Sequence, residues 1–248
     1  MVVIEAGTTV NQDITLVLSK YGPVEQKIHN DLVNRGFRVT IINTRDDEVK
    51  RGNSKAVLLL DDTFEALVIS SLFEDTLNPR GAYVLAINRA ALFRELSRLG
   101  YPTPEISVAL NPNVVGKVIR GGLGRAYLAT PSPALSLDGL VTTWEGGKSV
   151  AEHRMYMANP LARINMVIKA PDKIINVQVI GDECIGCGDL KPWVLKLSRN
   201  IGCIMCTYTI GAYGNEHLIL GVEPRIELTM DVVNNVVNTI ARWFNGEW

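Results

Sequence analysis

The sequence predicts an α/β protein of two lobes: an N-terminal βαβ lobe over residues 1–110 and a C-terminal α+β lobe over residues 111–248 whose strands make an antiparallel sheet. Three observations predict it. Residues 14–19, 38–42 and 56–60 are short β-rich runs of the kind buried in a parallel sheet, and the first two are joined by a helical pattern. Tyr101-Pro102-Thr103-Pro104 interrupts the chain before its second half. There, Gly181-Asp182 lies between two further β-rich runs as a two-residue hairpin turn.

In the first lobe, Tyr21-Gly22-Pro23 breaks the opening run, and Val24, Ile28 and Leu32 follow at helical spacing. Gly36 suits the left-handed position just past a helix end, so strand, helix and strand follow in order. Polar residues 43–55 read as a loop before the third strand. Leu92, Phe93, Leu96 and Leu99 repeat at three- and four-residue steps up to Gly100, which predicts an amphipathic helix over 88–99. Residues 106–110 then cross between the lobes, with the boundary near Asn111.

The second lobe begins with a predicted strand over 114–119, a Gly-rich turn Arg120-Gly-Gly-Leu-Gly-Arg125 and a strand over 126–129. Residues 131–163 carry scattered Pro, Ser and Gly and read mostly as loop with a short helix. Strands at 174–180 and 183–186, a helix over 194–201 and strands at 203–210 and 218–222 complete the sheet. A closing helix over 229–244 is capped by Thr229, with Val232, Val233, Val236, Val237, Ile240 and Trp243 as its buried face.

Composition narrows the function classes. With 47% hydrophobic and 21% charged residues, the chain has enough apolar content for an ordinary core and does not read as disordered. Its 25 Lys and Arg balance 26 Asp and Glu, so no global charge draws it to nucleic acid or anionic membrane. No apolar run approaches the ~20 residues that span a bilayer, and residues 1–7 lack the basic region and apolar core of a secretion signal. These features predict a cytoplasmic protein with a small-molecule partner, and leave a homo-oligomer open.

The chemistry-bearing candidates centre on the glycine turn. Gly121, Gly122 and Gly124 let backbone approach a phosphate, with Lys117 and Arg125 as flanking cations, although three glycines between strands also make an ordinary turn. The stretch Val114-Val-Gly-Lys-Val-Ile-Arg-Gly-Gly-Leu-Gly-Arg125 resembles the lysine strand and flexible glycine loop of the ATP-grasp family, particularly its RimK-like and LysX-like carboxylate–amine ligases. Three more segments follow the family order. Asn88-Arg89 to Pro104 resembles its "aGiPvP" helix and turn, with Arg89 in place of a nucleotide-contacting Lys. Residues 174–185 resemble its "dIRVFVVGdevI" hairpin, and 219–225 its "lvNEVNpR" metal strand.

What the resemblance implies is an N-terminal pre-ATP-grasp lobe and a C-terminal ATP-grasp lobe that binds ATP and Mg2+ and joins a carboxylate to an amine through an acyl phosphate. Arg89 and Lys117 would hold phosphates, Gly121, Gly122 and Gly124 with Arg125 would close over them, and backbone at Lys169 would read the base. Glu223 would hold magnesium. Three family positions are filled differently, with Asn176 for Arg, Thr209 for an acidic ligand and Gly221 for the metal-binding Glu. No catalytic residue can be assigned. Two readings follow: an active ligase, or a catalytically degenerate nucleotide-binding or assembly subunit.

The cysteines give a third reading. Cys184-x-x-Cys187 and Cys203-x-x-Cys206 have the spacing of a four-thiolate zinc or iron–sulfur site. Against it, Cys203 and Cys206 fall in a β-rich stretch, where residues three apart point to opposite faces, so buried thiols or a disulfide compete. His29, His153 and His217 accompany no nucleophile.

Overall fold

The structure is a computed structural model that describes residues 13–52 and 54–248. The reading of residues 1–7 lies outside the described residues. The chain forms two compact units. One holds the described residues up to Asp61, Val68–Leu77 and Glu227–Trp248; the other holds Asp62–Leu67 and Asn78–Ile226. The chain thus divides differently from a single cut near Asn111, because its last helix returns to the first unit.

The first unit begins with β1 (Asp13–Leu18), α1 (Pro23–Asn34), β2 (Arg38–Asn43) and β3 (Lys55–Leu59). Helix α2 (Thr63–Ser70) and the short β4 (Asp75–Thr76), neither anticipated, lead into the second unit. The sheet is parallel in the order β2-β1-β3-β4, with Leu16 in register with Ile41 and Val57. Strand β1 lies inside the sheet and is buried from Ile14 to Leu18, which is why it reads as a mostly aliphatic run. At the start of α1, the Glu25 carboxylate accepts the Gly22 N–H at 2.9 Å, and Pro23 supplies a first-turn residue with no N–H to satisfy.

The second unit contains α3 (Arg80–Ile87), α4 (Arg89–Arg98), β5 (Ile106–Ala109), α5 (Pro112–Val118), β6 (Ala126–Ala129), β7 (Gly139–Val141), α6 (Trp144–Met155) and β8 (Asn165–Lys169). It continues with β9 (Lys173–Ile180), β10 (Glu183–Ile185), α7 (Lys191–Ile201), β11 (Met205–Tyr213) and β12 (Glu216–Glu223). Two four-stranded antiparallel sheets result, β5-β8-β6-β7 and β10-β9-β11-β12. A core shared by α4, β6, β8 and the buried face of the second sheet includes Phe93, Tyr127, Ile168, Val177, Tyr208 and Val222.

Two expectations fail here. Residues 114–119, read as a strand from their β-branched run, belong to α5 and the π-helical turn Ile119–Leu123 that extends it. Asn111 caps the helix by accepting the Asn113 N–H at 2.8 Å, Pro112 opens it, and Val115 and Ile119 bury their side chains at helical spacing. Burial outweighs β propensity there. Residues 131–163, read mostly as loop, contain β7 and the three-turn α6, which Thr143 caps by accepting the Gly146 N–H at 3.1 Å.

Helix α8 (Val233–Phe244) belongs to the first unit and buries Val233, Val236, Val237, Ile240 and Trp243. Thr229 does not cap it. Its carbonyl instead closes a turn by accepting the Val232 N–H at 3.2 Å, and the helix starts after that turn.

Candidate functional site

The predicted glycine loop is not a hairpin. Lys117 is exposed on α5, and Gly121 and Gly122 lie in the π-helical turn between that helix and β6. A Cβ added at Gly121 or Gly122 would meet no other protein atom within 4 Å, and of the three glycines Gly124 alone needs its left-handed backbone, at φ +62°. Arg125 is exposed beside it. Gly121, Gly122 and Lys169 do share one cavity of about 570 Å³ with Glu105, Ser107 and Val167, but Lys117, Gly124 and Arg125 do not line it.

The strand–loop–strand unit that fits the expected description is β6, residues 130–138 and β7. No lysine stands on β6, and the loop Thr130-Pro-Ser-Pro-Ala-Leu-Ser-Leu-Asp138 has no glycine. This loop is tightly held. The Arg89 N–H donates to the Pro131 carbonyl at 2.7 Å, Ser132 Oγ to the Ala86 carbonyl at 3.2 Å, and Thr130 Oγ1 to the Ser132 carbonyl at 2.8 Å.

Arg89 begins α4 and is fully buried. Its guanidinium forms an ion pair with Asp138 and also donates to the Thr130 carbonyl. Asp138 further accepts the Thr130 N–H at 2.8 Å and the Tyr127 hydroxyl at 3.1 Å, with Thr130 Oγ1 3.2 Å away. Burial, and then the Asp138 charge, push the Tyr127 phenol well above its ordinary range. Arg154 of α6 is buried in the same cluster and donates to Asn165 Oδ1 at 3.0 Å and to the carbonyls of Leu128, Ala129 and Leu137. Desolvation pulls its guanidinium pKa down. The cation expected to face a ligand is therefore neutralised inside the protein.

The second sheet carries the family positions side by side. Asn176, Thr209 and Gly221 are in register across β9, β11 and β12, and Gln178, Thr207 and Glu223 form the next row on that face. The alternate residues Val177, Tyr208 and Val222 enter the core. Period-two alternation thus gathers positions over forty residues apart, and they hold amide, hydroxyl and glycine where a cation and carboxylates are expected. A Cβ on Gly221 would lie 2.6 Å from Pro133 Cγ and 3.2 Å from an Arg89 nitrogen, so the loop occupies the space a side chain there would need. Glu223, the expected magnesium ligand, is paired with Arg225 at 2.5 Å.

Backbone near Lys169 is engaged as well. Its carbonyl accepts the Tyr213 hydroxyl at 2.9 Å, and the Ala170 N–H donates to the Arg125 carbonyl at 3.4 Å. Tyr213's phenol is pushed up to about 12 by desolvation, then by the Asp172 charge.

Among the described residues no three His, Cys, Asp or Glu side chains gather as a metal site requires. The four-thiolate reading fails with it. Cys184 and Cys187 are bonded to each other, while Cys203 and Cys206 are buried thiols, with Cys206 Sγ donating to the Cys203 carbonyl at 3.2 Å. The residues present therefore do not fit Mg2+–ATP: the candidate cation is neutralised, the loop fills the space at Gly221, and the remaining carboxylate is paired.

The two antiparallel sheets, the parallel sheet of the first unit and the order of elements match a known architecture over nearly the whole chain. The chain has the ATP-grasp fold. A RimK domain ATP-grasp protein from Sphaerobacter thermophilus superposes with a TM-score of 0.73 at 15% identity, over 92% of this chain and 99% of that one. D-alanyl-alanine synthetase A from Vibrio cholerae gives 0.64 at 9% identity, over 95% and 98%. A Chryseobacterium gregarium ATP-grasp ligase, solved with ADP and a leader and core peptide, gives 0.62 at 10% identity, over 96% and 97%. No family model and no curated protein matches the sequence. At such identities the ATP-grasp likeness is one of fold.

Sequence reasoning missed Asp138, Arg154 and Pro133, all within the stretch read as loop or short helix. The Thr143-Trp144-Glu145 start of α6 was a usable signal for the helix that carries Arg154. Nothing local marks Asp138, whose partner Arg89 lies 49 residues away. No helix among the described residues is long and apolar enough to cross a membrane.

Proposed function

We propose that this chain is a catalytically degenerate ATP-grasp protein that serves as an assembly subunit and neither binds nor turns over ATP. One observation carries the reading: Arg89 is buried against Asp138 while Pro133 fills the space above Gly221. Acyl phosphate formation requires divalent metal held by carboxylates and unpaired cations beside the reacting oxygens. Here Asn176, Thr209 and Gly221 offer neither, and Glu223 is paired with Arg225. An assembly role is supported by apolar side chains left exposed on the second unit, including Val108, Leu110, Met155 and Tyr156.

The competing reading is an ATP-dependent carboxylate–amine ligase using ATP and Mg2+. The fold, and the cavity that joins Gly121 and Gly122 to Lys169, favour it. Isothermal titration of the full chain with ATP and Mg2+ separates the two. The proposal expects no saturable heat at millimolar nucleotide and no ADP release; magnesium-dependent saturable binding overturns it.

A further inference from the structure

The charges around the 130–138 loop do not balance. Arg89 and Arg154 are buried to 0% and 1% exposure; Asp138 pairs with Arg89 and is the carboxylate whose charge also reaches Arg154, which has no ion-pair partner of its own among the described residues. Both Nε atoms are buried without a partner. Burying guanidinium donors unpaired is costly, so two such arginines beside one carboxylate leave unused capacity for negative charge. Asp138 itself receives donors from three groups: the Arg89 guanidinium, the Thr130 N–H and the Tyr127 hydroxyl. A backbone N–H, a hydroxyl and a forked guanidinium converging on two oxygens are what a small oxyanion binds through.

We propose that Asp138 is a built-in surrogate for a small oxyanion: its carboxylate fills an anion site made by Arg89, Thr130, Tyr127 and Arg154, and so latches the 130–138 loop over Gly221. An oxyanion of the phosphate class takes that site only when the carboxylate is withdrawn. This deepens the degenerate-site reading and rests on it, since the neutralised Arg89 is its centre. The connection is mechanical. Asp138 ends the loop, Pro133 at its middle covers Gly221, and Pro131 at its start is tied to the Arg89 N–H, so losing the carboxylate frees the loop at one end.

The test uses the full chain with Asp138→Ala and follows Tm in sodium phosphate against sodium chloride at matched ionic strength. The variant should gain about 5 °C from phosphate, as expected for a ligand well above its Kd, while the wild-type chain should gain none. Sulfate should act like phosphate, because the chemistry shared is that of a tetrahedral oxyanion. Should Asp138→Ala fail to fold in chloride, its refolding yield in phosphate gives the same readout, and Asp138→Asn supplies an isosteric second variant. Adding Arg89→Met to Asp138→Ala should abolish the response. No phosphate-specific effect in either Asp138 variant overturns the proposal, as does an undiminished response in the double variant. Nucleotide binding by the wild-type chain would instead count against the proposed function, so the two failures are distinguishable.

Discussion

Pro133 stands where the side chain of residue 221 would have to go: a Cβ on Gly221 would lie 2.6 Å from Pro133 Cγ. A loop on one sheet and a strand of the other share that volume, so position 221 tolerates only glycine while the loop is closed.

Gly221→Ala should therefore lower stability by about 1–3 kcal/mol, the usual cost of forcing extra atoms into a packed site, and Gly221→Glu by more. Denaturant unfolding measures both. Restoring the family acid at this position should create no ATPase activity. Pro133→Gly combined with Gly221→Ala should recover part of the loss, a coupling that a double-mutant cycle reads directly.

Arg89 and Asp138 form a buried pair whose removal one partner at a time leaves an uncompensated charge. Arg89→Met alone should cost about 3–5 kcal/mol, whereas Arg89→Met with Asp138→Leu should be markedly milder than the sum. Additivity of the single changes in urea unfolding would contradict this account.

Helices α5 and α6 touch at Gly147, where a Cβ would lie 2.2 Å from Ile119 Cδ1. Ile119 is buried and has little room to turn aside. Gly147→Ala should destabilise by about 1–3 kcal/mol, and Ile119→Val, which removes that methyl, should rescue it. Thermal unfolding of the pair of variants and their combination is the measurement.

Alkali should unfold the protein through its tyrosines. Tyr213 has its pKa raised from 10.0 to about 12, and those of Tyr83, Tyr127 and Tyr208 are raised as well, each by burial first. A folded pKa above the unfolded value means the folded state keeps the proton that the unfolded chain releases. The stability this gives is complete below pH 10 and is lost as pH climbs towards 12 and beyond. Stability should fall across that window, and the phenolate absorbance that is lost on changing Tyr83, Tyr127, Tyr208 or Tyr213 to Phe should appear together with unfolding; that absorbance formed before unfolding would refute it. Tyr213→Phe should flatten the slope between pH 10 and 12.

The cysteines should behave as two unlike pairs. In the native, unreduced protein neither buried thiol, Cys203 or Cys206, should react with a polar thiol reagent, and both should react after denaturation. Reduction should add Cys184 and Cys187 to the titration. A stoichiometric zinc or iron content would defeat this assignment.

The sequence by itself determined the elements whose burial is one-dimensional. Strands β1, β2 and β3, α1, α4, the β9–β10 hairpin and α7 were legible because aliphatic runs, helical spacing and Gly or Pro punctuation are local signals. The likeness to the ATP-grasp fold was legible as well, although its lysine strand and glycine loop were placed on residues that form α5 and the turn after it, and the positions Asn176, Thr209 and Gly221 do meet on one sheet face. Only the tertiary structure decided that residues 114 and 115 belong to a helix, because the Val115 side chain is buried against α6. It alone decided what fills the candidate site. The Arg89–Asp138 pair and the Pro133–Gly221 approach join residues 49 and 88 positions apart in the chain, and no local pattern encodes a charge match or a steric fit over that separation.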